Sequence, residues 1–274
     1  MKLSLRAKTL LKLERLFPPL ADAPAERGEH AAYEFAKAEG SYAKFVEELG
    51  GLENKTVLDF GCGWGGESAW LATQARKVVG CDINPDSLED ARRFKATSGL
   101  HNLEFAQCGE QSLPFPDQSF DAIFSTNVFE HVMHPLEILS EIRRVLKPGG
   151  SFVSTFGPLF YSPLGYHLPW ATQVPWAHVL FGLKPVMEVR NLKRLPMSAD
   201  TWQDTGLNMM TFAQFRRVVR QVDLYAVRLN RIPAKRQTLL AKLPGLGDYF
   251  TFGIDCHLVR PQTKTMATTV SQAA

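Results

Sequence analysis

The residues best suited to chemistry in this sequence lie in one short stretch, Asp59-Phe60-Gly61-Cys62-Gly63-Trp64-Gly65-Gly66, which begins inside an apolar run at 56–60. Gly61, Gly63 and Gly66 satisfy G-x-G-x-x-G between a predicted strand and a predicted helix, the setting in which backbone amides cradle a nucleotide. A dinucleotide would lay its pyrophosphate on those amides and on the start of the helix. Asp59, two residues before the first glycine, would repel it. The same carboxylate suits a ligand that carries cationic groups and no phosphate, and S-adenosylmethionine, with its ammonium and sulfonium, is such a ligand. A second acid, Asp82, closes the next apolar run 23 positions later. A carboxylate there accepts from both ribose hydroxyls of an adenosine. NAD and S-adenosylmethionine share that need, so Asp82 alone does not separate them. The structural alternative for Asp82 is a turn cap before Asn84-Pro85.

Regular elements must bring these loops together. Short apolar runs at 56–60, 77–81, 103–107, 120–125 and 151–156 read as strands. Helical patterns lie between them at 67–75, at 87–97 with Ser87 as N-cap, and at 136–146, stopped by Pro148-Gly149-Gly150. Strands alternating with helices imply right-handed βαβ units and a parallel sheet covered on both faces, an α/β fold. The alternation breaks after Phe156. Residues 157–205 carry Pro158, Pro163, Pro169, Pro175, Pro185 and Pro196 among many aromatics and read as an insertion. A helix at 211–222 and strands at 224–229 and 252–259 complete the pattern. Upstream, 29–49 reads as a helix, and the first residues as a short amphipathic helix stopped by Pro18-Pro19. The chain thus divides into an N-terminal helical lid segment at 1–50, a main domain at 51–260 that contains the insertion, and a flexible tail at 261–274.

Four segments stand in the order and spacing of class I S-adenosylmethionine-dependent methyltransferases: VLDFGCGWGG, VVGCDINP, GEQSLPFPDQSFDAIFSTNVFEHV and LKPGG. The resemblance covers residues 50–157 well and 206–260 weakly. It implies a Rossmann-like, doubly wound, seven-stranded, mostly parallel sheet with an antiparallel last strand, and S-adenosylmethionine as cofactor. Residue by residue, Asp59 resembles the acid that supports the loop and the methionine ammonium. Gly61, Gly63 and Gly65 resemble the positions where backbone packs on the cofactor. Asp82 resembles the ribose ligand and Ile83 the apolar contact to adenine. Glu110 stands where the family usually has Asp, one methylene shorter, to accept from the adenine amino group, with Gln111 beside it. Asn127 would face the methionine moiety. The Asp/Asn-Pro-Pro-aromatic tetrad of the family's amino-group and nucleic-acid branches is absent: the same place reads Asn127-Val128-Phe129-Glu130-His131, similar to the small-molecule and lipid-quinone branch.

Methyl transfer from sulfonium asks the protein mainly to align the acceptor, and for a base only where the acceptor's proton is held tightly. His131, next to the methyl donor by resemblance, and His167 and His178, among the insertion's aromatics, are the candidates for that work. Each has packing as its structural alternative. No metal site is expected, because no carboxylate lies among residues 157–181 beside the two histidines. The partner implied is a small molecule, with O-methylation of an aromatic or apolar metabolite foremost. A quinone, lipid or lipid-linked glycan at a membrane is second, and a non-catalytic cofactor-binding or regulatory protein third.

Composition bounds these readings. The chain has 274 residues, 45% apolar and 22% charged, which fits a globular protein. Its net charge of +3 is too small to argue for nucleic acid. Five cations, Lys2, Arg6, Lys8, Lys12 and Arg15, sit in the first fifteen positions. They belong either to a helix docked on the domain or to one lying on anionic lipid. Arg190, Lys193 and Arg194 form a second cationic run, read as a solvated face or a contact for an acidic group. The four cysteines form no Cys-x-x-Cys pair, which fits reduced thiols and a cytoplasmic location. The sequence leaves oligomeric state open.

Overall fold

The computed structural model describes residues 2–17, 29–168, 171–193, 198–235 and 238–262. The sequence-based expectations for Pro18, Pro19, Pro169, Arg194, Pro196 and the tail from 263 onward lie outside the described residues. One seven-stranded sheet organises the chain, formed by β1 (Thr56–Phe60), β2 (Lys77–Asp82), β3 (Leu103–Gln107), β4 (Phe120–Thr126), β5 (Leu146–Phe156), β6 (Tyr225–Pro233) and β7 (Thr251–Val259). Their order is β3-β2-β1-β4-β5-β7-β6. The first five run parallel, and β7 is antiparallel to both β5 and β6. The expected sheet, with its antiparallel last strand, is the one found. The strand order reverses between β1 and β4, and in such sheets ligands bind at that switch point, beyond the carboxyl ends of the strands.

Several boundaries differ from the sequence reading, each for a physical reason. The helix expected to stop at Pro148-Gly149-Gly150 already ends at Val145, and these three residues lie within β5. The register jumps between Phe120↔Leu146 and Ala122↔Ser151, so the glycines form an irregularity within the strand. The helix at 87–97 begins earlier, as α4 (Pro85–Ser98), because Pro85 fits the first turn and the Asn84 side chain accepts from Asp86 N. Asn84, not Ser87, is therefore the N-cap. The insertion holds two helices that its prolines concealed, α6 (Ala177–Leu180) and α7 (Leu183–Lys193). Pro185 falls in the first turn of α7, where no intrahelical donor is lost.

The two N-terminal helices go to different places. In α2 (Glu29–Glu48), Ala38, Tyr42 and Phe45 are buried in the core on one face of the sheet, with Leu52, Val57, Phe124 and Val153. In α1 (Leu5–Glu14), Ala7 and Leu10 are buried against the insertion, with Tyr166, Ala171, Val174, Val186 and Val189. Glu188 Oε2 accepts from Ser4 N at 2.7 Å, and Lys193 pairs with Glu14. The first cationic helix and part of the second cationic run thus meet each other. Leu10→Ala removes a fully buried side chain from this contact and is expected to cost about 2–4 kcal/mol in urea unfolding. Leu5→Ala, at a position 81% exposed, is expected to stay within about 0.5 kcal/mol. Equally small losses in both variants would mean that α1 is not packed on the insertion.

Candidate cofactor and acceptor site

The glycine loop turns where β1 ends. Gly61, Gly63 and Gly65 all have positive φ, at +78°, +50° and +81°. At Gly61 the reason is contact as well as conformation: a Cβ there would lie 2.3 Å from a Val128 methyl. The β1 and β4 loops therefore touch. At Gly63 a Cβ would meet only Glu34 Oε1, at 3.8 Å, so the loop leaves open space beside that carboxylate. Gly65 leads into α3 (Gly66–Ala72). Here α2 clamps the loop: Glu34 Oε2 accepts from Gly66 N at 3.2 Å, His30 stacks on Trp64, and Tyr42 donates to Glu67 Oε2 at 2.5 Å. Tyr42 also bonds the Thr126 hydroxyl at the end of β4.

Four carboxylates surround this loop: Glu34, Asp59, Glu67 and Asp82. Asp59 is buried under it and accepts from Ser68 Oγ at 2.5 Å. Burial pushes its pKa up to about 8, helped by the charges of Glu67, Glu34 and Asp82. Burial, with Glu67 and Asp82 alongside, pushes Glu34 up to about 7. Burial also raises Glu67. Burial is thus the main reason that Asp59 and Glu34 resist ionisation, and the charges that add to it are those of other carboxylates. Such a pocket is built for a cationic ligand. Glu34, Glu67 and Tyr42 were missed in the sequence reading. Glu67, in the first turn after a glycine loop, was the one signal available.

Asp82 takes up its structural alternative and also holds the glycine loop. Its Oδ1 accepts from Asn84 N at 2.8 Å, a turn cap, and its Oδ2 from Gly63 N at 3.0 Å. A carboxylate has about four acceptor sites, so room is left for two hydroxyls. Ile83 is 55% exposed, an apolar surface beside it. Glu110 and Gln111 are exposed in the loop after β3. That loop is held by α5 (Pro135–Val145): Glu141 Oε2 accepts from Leu113 N, and Arg144 donates to the Leu113 and Phe115 carbonyls. Asn127 follows β4 in a left-handed conformation, its N–H bonded to Thr155 O at 2.8 Å. The glycine cradle, the acid at β2 and the unbalanced carboxylates fit an adenosine with a cationic tail.

Beyond Asn127 the chain is fixed by packing. Phe129 is fully buried between the rings of Phe60, Phe152, Phe156 and Phe215. Asn208, also missed in the sequence reading, donates to the carbonyls of Phe129 and Val132, and its N–H to Glu130 O. This holds His131 beside His167, with ring centres 5.1 Å apart. A carbonyl can only accept, so the contacts of His131 Nδ1 with Gly206 O (2.8 Å) and His167 Nε2 with Pro158 O (2.7 Å) fix both tautomers. His131 keeps a lone pair on Nε2 and His167 on Nδ1. Burial lowers the His167 pKa to about 4, which keeps it neutral. His178 stands apart. It is buried among Phe160, Tyr166 and Trp202, with Nε2 on Phe160 O. Burial holds it neutral too, near 4. Its Nδ1 is buried without a hydrogen-bond partner, within a shell separate from the other two histidines.

The sequence profile of the family described as "Methyltransferase domain" matches residues 58–154, from β1 to β5. These residues belong to the class I methyltransferase family. S-adenosylmethionine is the cofactor of this methyltransferase domain. Similar curated proteins include a fatty-acid O-methyltransferase of Mycolicibacterium smegmatis, 40% identical over 107 residues, which are 38% of this chain and 38% of that protein. A sterol 24-C-methyltransferase of Pneumocystis carinii is 33% identical over 123 residues, 44% of this chain and 33% of that protein. A tRNA U34 carboxymethyltransferase of Cellvibrio japonicus is 31% identical over 120 residues, 43% and 37% of the two chains. The chain thus spans well under half of these relatives. Among solved structures, the fold is similar to that of the YcgJ protein of Bacillus subtilis, with TM-score 0.55, 18% identity and coverage of 82% of this chain and 100% of that one. It is also similar to the [4+2]-cyclase SpnF, with TM-score 0.57, 17% identity and coverage of 94% and 93%.

Two substitutions separate cradle from ribose contact. Asp82→Ala is expected to weaken cofactor binding by about 1.5–3 kcal/mol, roughly 10- to 150-fold, in calorimetry. Gly61→Ala, with both strain and a clash against Val128, is expected to abolish measurable binding. Unchanged affinity in both variants would remove the loop from the cofactor site.

Proposed function

We propose that this chain transfers a methyl group from S-adenosylmethionine to an oxygen of a small apolar or aromatic acceptor. The observation that carries the reading is the cationic deficit around the glycine loop, placed beside a pair of histidines that each keep one unshared ring nitrogen. Bound there, the cofactor supplies an activated methyl on a sulfonium. The chain's own part is to hold that charge among the carboxylates, to seat the acceptor, and to take or stabilise the acceptor oxygen's proton at His131 or His167. The similarity to a fatty-acid O-methyltransferase, within the matched segment, supports an oxygen acceptor on an apolar molecule. The missing Asp/Asn-Pro-Pro-aromatic tetrad weighs against amino-group and nucleic-acid acceptors.

The membrane reading keeps one specific support. Leu5 and Leu16, near the first five cations, are 81% and 76% exposed, as are apolar residues that meet a lipid surface. No helix among the described residues is long and apolar enough to cross a membrane. Methyl-labelled S-adenosylmethionine, offered with fatty acids, phenols, quinols and tRNA in parallel, tests the proposal. Label is expected in an oxygen of a small acceptor, and His131→Ala and His167→Ala are expected to lower turnover about 100-fold with cofactor affinity kept. Label only in tRNA or protein, or no transfer to any acceptor despite cofactor binding, would contradict it.

A further inference from the structure

The methyl-transfer reading makes no use of Glu130. This carboxylate is 3% exposed in the loop after β4. Its Oε1 accepts from Gly157 N at 3.2 Å, and its Oε2 is buried with no hydrogen-bond partner. A buried oxygen with no donor is costly, and a native protein that keeps one calls for an explanation. The neighbours supply it. A carboxylate oxygen of Glu130 and one ring nitrogen from each of His131 and His167 all lie within 4.8 Å of one another. The carboxylate that the insertion lacks comes from the facing loop.

We propose that Glu130, His131 and His167 form a binding site for a divalent transition-metal cation of the zinc class. Three arguments converge. The donor set, two imidazoles and one carboxylate, is one used by zinc and by non-haem iron sites that keep open positions for substrate. Around a cation at about 2.1 Å, ligand atoms stand roughly 3–4.3 Å apart, so small side-chain rotations close the set. Each imidazole also has one ring nitrogen on a backbone carbonyl, Gly206 for His131 and Pro158 for His167, which leaves the opposite nitrogen for coordination. Metal-ligating histidines are oriented this way, with the tautomer fixed and the coordinating lone pair left free. These second contacts come from two different segments, and Asn208 holds the loop that carries Glu130 and His131 between them.

His131 is exposed, so the site is reached by solvent on its side. An acceptor hydroxyl taken there would lose its proton to water more readily, because a coordinated oxygen acid is strengthened by the cation, which would then take over the work that the two histidine lone pairs do in the metal-free site. That consequence rests on the methyl-transfer reading, whereas the metal site does not.

The test uses the full chain, stripped with chelator and dialysed against Zn2+ or Co2+. About one equivalent is expected to remain bound per chain, and Co2+ is expected to show visible absorption typical of nitrogen and oxygen ligands. His131→Ala and His167→Ala are each expected to weaken binding at least tenfold, with melting temperature monitored so that a folding failure is recognised. Glu130→Gln, which keeps the shape, is expected to do the same. Retention of neither metal, or stoichiometric binding unmoved by both histidine variants in folded protein, would overturn the site. Bound metal without any methyl transfer would leave the site standing and remove only the proposed reaction.

Discussion

The site is organised by a charge deficit. Glu34, Asp59, Glu67 and Asp82 are drawn around one glycine loop, and the charges that act on Asp59 and Glu34 are those of other carboxylates. Burying acids together is unfavourable unless protons or a cation share the space. The backbone accepts this because each acid also does structural work. Glu34 caps Gly66, Asp59 takes the Ser68 hydroxyl, Glu67 takes the Tyr42 hydroxyl, and Asp82 fixes Gly63 and Asn84. The same bonds that shape the loop therefore prime it for a ligand with positive charge. In this arrangement α2 packs on the glycine loop through Glu34 and Tyr42 and is anchored in the core by Phe45.

The acceptor side is built on a different principle. Its histidines are placed by packing and by backbone contacts. Phe129, fully buried among four other rings, locks the loop after β4, and Asn208 ties its carbonyls to the segment after the insertion. The two halves of the site meet where Val128 rests on Gly61. The core between β1 and β5 is matched by the methyltransferase family, and the parts outside that match bring Glu34, His167 and Gly206 to it.

Much of this was legible in the sequence, and the exceptions have physical causes. The glycine loop and Asp82 could be read because strand, turn and helix follow one another within a few residues, so local pattern and function coincide. The sheet was readable because its buried strands are short apolar runs. Glu34 and Tyr42 were not readable: on an isolated helix they are ordinary surface and core residues, and only the approach of α2 to the loop gives them a role. His131 and His167 lie 36 positions apart, and nothing in their spacing announces contact. Glu130 was noted as part of a motif, but its unpaired oxygen exists only in the folded chain. The insertion's prolines correctly marked a break in the alternation, yet they hid α7, because a proline in a first turn reads like a loop.

The central claim is that the ligand's positive charge replaces protons held by the crowded carboxylates, and proton release on binding tests it most directly. At pH 6.5 the free ligand's amino group is already protonated, whereas Glu34, near 7, and Asp59, near 8, still hold protons. Calorimetry of S-adenosylmethionine binding at that pH, in two buffers of different ionisation enthalpy, counts the protons expelled. The account predicts release of about half to one proton per chain, reduced in Glu34→Gln. Tight binding with no proton release in the unaltered protein would contradict it.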